Sequence, residues 1–451
     1  MKRMKAVCIP LVMGLLMTAC GSKQDAAQDN TQNTTPTTTQ DVTAPAAEPG
    51  NDASPSKEVT LKIGLPGSYD ITSEKIIDGF QAKYPNIKLE IDEAPWGDFT
   101  KKIVTRIAGN NPPDLWFQEN AVILGYGQRG VAENLEPYIS RDLKTDDYVS
   151  ALLSAKTPDG KVYGIPHGIN PVALAYNKTL FQANNIPVPT DDWTYPDLIE
   201  TAKKLTKDTD GDGKPDIYGF QTGNNITSGW LPWMKSAGGS ALDPTLTKAM
   251  FTDAKSIQGL TNWADTINKL KISPTRELAK TGKLFENGKS AMVFLQYSSQ
   301  VSLNKSSPDL DWDTVKMPIG ENGKRFVPMV VNDWIVYSKA KPEAKEAAWT
   351  FLKYYLSDEA QGFLSESGAS LPVKKTAMDA VANLTFKPAN KLAYTKGVEE
   401  AGATLDENPS WNEWRAAANP ILDDIMDGKR TPADGAKEIQ SKVQTILDEN
   451  Q

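Results

Sequence analysis

The stretch VTLKIGLPGSYDITSEKIIDGFQAKYPNIKLEI, from Val59 to Ile91, indicates the fold class. Apolar and polar residues alternate at both ends, in VTLKI and IKLEI, which predicts two strands. Between them, apolar residues recur at the spacing of one helical face: Ile76, Ile77, Phe80 and Tyr84. Strand, helix and strand with short joints form the unit of a parallel sheet, so the sequence predicts an α/β fold.

Two later stretches predict helices by their start signals. Pro342 introduces an apolar helical face that ends at Tyr355, and Thr431 with Pro432 begins the closing helix. About 390 residues follow Lys57, which is more than one ordinary core holds, so two lobes are expected.

The N-terminus has the features of a secretory signal. A basic head, MKRMK, precedes an apolar run from Ala6 to Thr18, which is shorter than the roughly 20 residues that span a bilayer. The segment 21–57 has Val42 as its only large aliphatic residue and contains no aromatic residue. Such a composition predicts a disordered tether.

The chain has two cysteines, Cys8 within the signal and Cys20 at its end, so the mature protein has no internal disulfide. The sequence LMTAC, residues 16–20, resembles the processing site of a bacterial lipoprotein, with Met17 where leucine is usual. This resemblance implies lipidation of Cys20 and anchoring to the outer face of the cytoplasmic membrane. The alternative is a soluble secreted protein that is cut after Ala19.

The charge of the chain excludes some partners. The net charge is −8, and loss of Lys2, Arg3 and Lys5 with the signal leaves 46 basic residues against 57 acidic residues, a net charge of −11. An acidic chain is a poor candidate for binding nucleic acid or an anionic membrane surface.

Several apparent catalytic motifs fail on their context. GYGQRG, residues 125–130, has dinucleotide-fingerprint spacing, but Pro137 leaves no room for the long helix that must follow, and Gly130 is predicted to end a helix. His167 is the only histidine, which excludes a zinc site built from several histidines. A pair of carboxylates for glycoside hydrolysis stays open, because an acidic chain offers many pairs.

The segment DTDGDGKPDIYGF, from Asp208 to Phe220, has the spacing of a calcium loop. Its predicted ligands are four carboxylates and the carbonyl of Lys214: Asp208, Asp210, Asp212 and Asp216. Position twelve of the loop is Gly219 instead of glutamate, so another ligand or water must complete the shell. The prediction is a structural calcium ion, and the alternative is a solvated turn.

Five stretches together resemble one family: NNPPDLWFQENA, YGIPHGINPVALAYNKTLF, FENGKSAMVFLQY, NDWIVYSKAKPEAKEAAWTFLKYYLS and WNEWRAAANPILDDIMDGKRTPADGAKEIQ. The chain resembles the solute-binding lipoproteins of carbohydrate ABC importers, in the maltodextrin-binding-protein-like group. The resemblance implies a two-lobed periplasmic-binding-protein-like fold (type II) and a monomer that captures a sugar by hinge closure. It would then deliver the sugar to the permease subunits of an ABC importer.

The same resemblance implies discontinuous lobes. The N-terminal lobe would contain residues 58–168 and 328–372, and the C-terminal lobe residues 169–327 and 373–451. The connecting hinge strands are expected near 164–170, 327–333 and 370–373.

Eleven tryptophans fit a function that needs aromatic surfaces. Sugars present apolar faces rimmed by hydroxyls, so their sites combine aromatic rings with amides and carboxylates. Trp96, Trp230 and Trp411 are predicted to lie in loops and to form such surfaces, although core packing is the alternative for each. Three others are predicted to be core residues: Trp263, Trp312 and Trp349.

The resemblance also implies the polar and aromatic contacts to the sugar: Glu119, Asn120, His167, Asn170, Tyr297, Asp333 and Trp334. His167 could instead be a core or hinge residue, and Asp333 could cap a turn. Two other functions remain open, a surface-anchored polysaccharide-acting enzyme (glycosidase or lyase) and a structural surface lipoprotein. The latter would leave the tryptophans in loops unexplained.

Overall fold

The computed structural model describes residues 58–66, 71–157 and 159–450, so the predicted signal, the tether and Cys20 lie outside the described residues. Within this part no helix is long and apolar enough to cross a membrane. The strands are β1 Val59–Pro66, β2 Ile87–Ala94, β3 Leu115–Glu119, β4 Ile165–Asn177, β5 Met292–Gln296, β6 Trp312–Val315, β7 Val327–Val336 and β8 Gly402–Ala403. The first helices are α1 Ile71–Lys83, α2 Trp96–Ala108, α3 Asn120–Gln128, α4 Glu136–Asp142, α5 Lys178–Ala183, α6 Tyr195–Leu205, α7 Trp230–Ser236 and α8 Ala254–Asn268. The remaining helices are α9 Arg276–Thr281, α10 Ser299–Ser306, α11 Pro342–Tyr355, α12 Asp358–Ser367, α13 Lys375–Ala380, α14 Leu392–Ala401, α15 Trp411–Met426 and α16 Pro432–Glu449.

The predicted strand–helix–strand unit is confirmed. β1 pairs in parallel with β2, from Val59 opposite Ile87 to Pro66 opposite Ala94, and α1 connects the two strands. The sheet has the order β2-β1-β3-β7-β4-β5, with β6 paired to β4 and β8 to β7. β7 is antiparallel to both β3 and β4, so the sheet is mixed.

Two long strands join the two halves of the sheet. The first part of β4, Ile165 to Pro171, pairs with β7, and its second part, from Val172, pairs with β5 and β6. Leu371 forms a backbone bridge to Ile169 on β4. Each of the three predicted hinge segments therefore contains backbone that pairs at this junction.

Two large hydrophobic cores are associated with the two halves. One gathers α6, α7, α8, α15 and α16 around the second part of β4, and the other gathers β1, β3, α11 and the first part of β4. Trp263 lies in the former core and Trp349 in the latter, and Trp312 packs in a smaller cluster, as predicted for all three. Val373 and Met378, predicted to lie in the C-terminal lobe, pack in the core that contains β1. The division into lobes stays a prediction.

The predicted helix boundaries follow from local chemistry. The Thr431 hydroxyl accepts the backbone N–H of Asp434, which caps α16 and leaves Pro432 in the first turn. Pro342 likewise occupies the first turn of α11, which begins without a side-chain cap. Gly130 has a φ of 66° just after α3, a conformation that glycine adopts without strain, so the GYGQRG motif forms a helix end and not a phosphate-binding turn.

Candidate ligand-binding cleft

A cavity of about 340 Å³ opens where the two halves meet. It is lined by Glu119, Ile226, Thr227, Gln296, Val330, Asn332, Leu405, Trp411 and Arg415. These residues come from β3 and β7 on one side and from β5 and α15 on the other, so the cavity is a cleft between elements of both cores. Its size lies within the usual range of small-molecule sites.

The sheet places two polar side chains at the floor of the cleft. Glu119 is the last residue of β3 and pairs with Asn332 on β7. Paired residues on adjacent strands point to the same face of a sheet, so the carboxylate and the amide lie side by side. Gln296, the last residue of β5, pairs with Val172 on β4 and adds a second amide.

The first turns of α15 supply an aromatic ring and a cation. Trp411 and Arg415 are one turn apart, and the guanidinium lies 4.7 Å from the centroid of the indole ring. The Nε of Arg415 is buried without a hydrogen-bond partner among the described residues. Burial lowers the pKa of Arg415 and raises that of Glu119, while attraction between these two charges opposes both shifts. The cleft thus offers one acceptor-only and one donor-only charged group.

A buried polar cluster lies next to the cleft. The Asn120 amide donates to Glu407 Oε2 at 3.2 Å and to the Ser154 carbonyl at 3.4 Å, and the Ser154 hydroxyl donates to Asp333 at 3.3 Å. Burial raises the pKa of Glu407 to about 8 and that of Asp333 to about 8. Both carboxyls are therefore mostly neutral at pH 7 in the folded protein. Asn120 and Asp333, predicted to contact the sugar, instead serve internal contacts of this cluster.

Of the ten predicted contacts, Glu119 and Trp411 line the cavity. Trp411 begins α15 and does not lie in a loop, contrary to the prediction, because Ser410 precedes a continuous helical turn. Trp96 is the first residue of α2, with only Pro95 between that helix and β2, and its side chain lies outside the described residues.

His167 and Trp334 belong to an aromatic cluster away from the cavity lining. The imidazole of His167 lies 4.6 Å from the ring of Phe117 and 5.8 Å from that of Trp334, measured between centroids. Its carbonyl accepts the hydroxyl of Tyr355 at 2.7 Å. The structure supports the core or hinge interpretation of His167 and corrects the placement of both residues in the site.

Asn170 and Tyr297 stabilise the junction of the strands. The Asn170 amide donates to the Ser370 hydroxyl at 3.3 Å, and its oxygen accepts the backbone N–H of Ser298 at 3.1 Å. Tyr297 is fully buried, with its ring edge-on to Tyr394 at 5.2 Å. Neither side chain lines the cavity.

Trp230 is a core residue, which corrects its prediction as a loop residue. It begins α7, its side chain is 1% exposed, and its ring lies 5.8 Å from that of Phe251. The apolar side chains that follow it bury the whole short helix in the core, although SGW resembles a turn in the sequence.

Sequence reasoning missed Gln296, Asn332 and Arg415. Gln296 and Asn332 directly precede the predicted Tyr297 and Asp333, and neighbouring residues of a strand point to opposite faces. Because α15 begins at Trp411, Arg415 lies one helical turn further along the same face. A sequence interpretation that began the helix at Trp411 would have found it. Two pieces of information were therefore missing: which face of each strand borders the cleft, and the residue at which α15 begins.

The aspartate loop is compact, and three of its carboxylates lie close to one another. Carboxylate oxygens of Asp208, Asp210 and Asp216 lie within 4.8 Å of one another. Gly211 and Gly213 have φ values of 82° and 85°, which allow the tight turns. Asp212, also predicted as a ligand, is not in this trio, and its carboxylate accepts the backbone N–H of Lys214 at 2.8 Å.

Comparison with known proteins shows the family. The model of a family described as bacterial extracellular solute-binding protein matches residues 75–391. The chain belongs to this family. That membership confirms the resemblance at the level of a solute-binding receptor located outside the cytoplasm.

Curated and structural relatives of this solute-binding protein cover most of its length. A putative binding protein of Brucella abortus is 25% identical over 388 residues, 83% of this chain and 89% of the relative. The diacetylchitobiose binding protein DasA of Streptomyces coelicolor is 25% identical over 423 residues, 89% of this chain and 92% of the relative. An ABC substrate-binding protein of Listeria monocytogenes, solved with cycloalternan, has a TM-score of 0.75 at 21% identity over 87% of this chain and 100% of that chain. The cyclic alpha-maltosyl-1,6-maltose binding protein of Arthrobacter globiformis has a TM-score of 0.72 at 20% identity over 87% and 99%. The predicted two-lobed type II fold is confirmed by these structures.

Proposed function

We propose that this solute-binding protein captures a carbohydrate in the cleft by hinge closure and delivers it to the permease of an ABC importer. The cleft itself is the main support, because it is lined by Arg415, Glu119 and two amides and by the largely buried ring of Trp411, which is 3% exposed. A sugar needs this combination of an apolar surface and groups that bind its hydroxyls. The names of the relatives from Streptomyces, Listeria and Arthrobacter agree with a saccharide ligand.

Hinge closure follows from where the contacts originate. Glu119 and Asn332 lie on strands of one half, whereas Trp411 and Arg415 lie on a helix of the other. A ligand held by both sets excludes water only when the halves approach, and β4 and β7 are the elements that would bend.

Binding without turnover is part of the proposal. Glycoside hydrolysis uses two carboxyl groups that flank the scissile bond. Among the described residues that line the cleft, Glu119 is the one carboxylate. The neighbouring Glu407 and Asp333 are buried and engaged with Asn120 and Ser154.

Two further elements of the proposal come from the sequence. The first is a structural calcium ion bound by the aspartate loop, supported by the inward carboxylates of Asp208, Asp210 and Asp216. The second is a lipid anchor on Cys20, followed by the polar tether, which would hold a monomeric receptor near its permease.

The test of the function is a thermal-shift screen of the folded chain against monosaccharides, oligosaccharides, amino acids and polyols. We expect only carbohydrates to raise the melting temperature, since a ligand at 100 times its Kd adds about 2.7 kcal/mol to the free energy of unfolding. The bound sugar should be recovered intact after prolonged incubation. Stabilisation by amino acids alone would contradict the carbohydrate assignment, and cleaved sugar would contradict binding without turnover.

A further inference from the structure

A second cavity, of about 460 Å³, lies in the same half of the molecule as β5 and α15. Its walls are segment 221–228, helix α9, β5 and the last turns of α15. We call it the amide cavity, because Gln221, Asn224 and Asn225 line it. Its volume is in the usual range of small-molecule sites.

The amide cavity and the cleft share a wall. Ile226 and Thr227 line the cleft, whereas the flanking Asn225 and Ser228 line the amide cavity. Helix α15 borders both, with Arg415 at the cleft and Asp423 at the amide cavity. Eight helical residues correspond to about 12 Å, so the two cavities are neighbours along one surface.

The shared wall is rigid. The Asn225 side-chain oxygen accepts the backbone N–H of Ser228 at 2.7 Å and its hydroxyl at 3.0 Å. The Trp263 indole donates to the carbonyl of Gly223 at 3.1 Å. A Cβ at Gly229 would lie 2.4 Å from the carbonyl oxygens of Gly223 and Asn225, so the close approach of these segments requires glycine there. A preformed wall limits the ordering that a ligand must impose.

Each amide that lines the cavity has one end engaged and one end available. Gln221 accepts the backbone N–H of Phe285 at 3.1 Å, Asn225 accepts from Ser228, and Asn224 donates to Asp423. The other end of each amide has no hydrogen-bond partner in the part of the chain that the structure describes. The available ends are the NH2 groups of Gln221 and Asn225, which donate, and the oxygen of Asn224, which accepts, and a hydroxyl can pair with either kind.

One of the two cations that line the amide cavity, Arg276, is already paired. The guanidinium of Arg276 donates to both carboxylate oxygens of Asp427, at 2.9 and 2.8 Å, and lies 3.3 Å from Asp423. A phosphate or carboxylate at Arg276 would have to displace these partners, so this guanidinium does not favour an anionic ligand, and the exposed Lys280 is the other cation of the lining. Val293, which is only partly buried, adds apolar surface for the C–H faces of a sugar ring.

We propose that the amide cavity binds further units of the neutral carbohydrate chain whose first unit lies in the cleft. The inference rests on the proposed function and makes it more specific: the ligand is an oligosaccharide that passes over the wall formed by Ile226 and Thr227. The distance between Arg415 and Asp423 along α15 is longer than one sugar ring.

The test measures Kd by calorimetry for glucose, N-acetylglucosamine and the linear oligomers of each. Ala279 on α9 lines the amide cavity, so Ala279→Phe fills that cavity without removing a polar contact, and Ala279→Ser is the matched control. For the wild type and the Ala279→Ser control we expect the oligomer to bind at least about tenfold more tightly than its monosaccharide. Ala279→Phe should lose this gain and keep the monosaccharide Kd.

Asn224→Ala is a second variant, in case phenylalanine disturbs α9. It should weaken oligomer binding by about three- to tenfold, the effect of one hydrogen bond, and leave monosaccharide binding unchanged. If the monosaccharide binds and length gives no gain, or if the gain survives in both variants, the inference is overturned and the proposed function stands. If no carbohydrate binds the wild type, the proposed function itself is overturned together with this inference.

Discussion

Trp230 and Trp411 differ in what surrounds their indole rings. Both rings belong to the same hydrophobic core, but Trp230 packs against Phe251, whereas Trp411, 3% exposed, also borders the cleft with Arg415 over its ring. We expect Trp230→Ala to lower the free energy of unfolding by about 3–5 kcal/mol, as for other core aromatics, without a direct effect on sugar affinity. Trp411→Ala should weaken sugar binding by about 2 kcal/mol or more. Urea unfolding and calorimetry measure the two quantities, and a Trp230→Ala variant of normal stability that binds no sugar would contradict this assignment.

Glu407 makes the stability of the protein depend on pH. Burial raises its pKa to about 8, so between the unfolded value near 4.5 and about 8 the folded protein binds a proton that the unfolded chain releases. The contribution of Glu407 to the free energy of unfolding is therefore largest below pH 4.5 and falls as the pH rises through that window. Asn120, Glu119, Asp333 and Arg415 are the polar and charged groups that act on it.

The measurement compares urea unfolding of the wild type and Glu407→Gln from pH 5 to pH 8. We expect the free energy of unfolding of the wild type to fall by at least about 1 kcal/mol more than that of the variant, since one pKa unit corresponds to about 1.36 kcal/mol. Glu413→Gln removes an exposed carboxylate of the neighbouring helix α15 and should keep the wild-type slope. Equal slopes for the wild type and Glu407→Gln would show that this carboxyl does not titrate as described.

The aspartate loop is the element that we propose binds a structural calcium ion. Without a cation, the carboxylates of Asp208, Asp210 and Asp216 face one another within 4.8 Å and repel. We expect a chelator to lower the melting temperature and calcium to restore it better than magnesium, because calcium accepts irregular oxygen shells.

The loop offers a matched pair of variants. Asp208→Asn should abolish the response to calcium, whereas Asp212→Asn should weaken it less, since Asp212 is outside the trio and bonds Lys214. Identical melting of the wild type with and without chelator would dispose of the calcium proposal.

Element type was predictable where periodicity was strong, as in β1, β2, α11 and α16, because local spacing and caps suffice for such segments. The direction in which a side chain points was not predictable from the sequence. In β7 the predicted Asp333 points into a buried cluster while Asn332 lines the cleft, and Tyr297 stands in the same relation to Gln296. Only strand pairing determines which face of a strand borders a ligand site.

At the scale of the whole molecule, the proposed lipid anchor on Cys20 would hold the receptor at the membrane. Cys20→Ala should release the protein from membranes into the medium, because a lipidated cysteine is its proposed attachment. Cys8→Ala, within the predicted signal, is the matched control and should leave the protein attached. Fractionation and immunoblotting measure the distribution, and membrane association that survives Cys20→Ala would contradict the anchor.

The sequence by itself determined the α/β class, the acidic character of the chain, the solute-binding family and the aspartate loop. The family rests on the resemblance of five stretches to known solute-binding proteins, and the others depend on local periodicity, composition or short-range spacing, which a linear chain contains. The tertiary structure decided the membership of the cleft, because β3, β7, β5 and α15 are far apart in sequence and meet only through strand pairing and core packing. It also decided that Trp230 is core and that Glu407 is buried, since burial is a property of neighbours that come from distant parts of the chain.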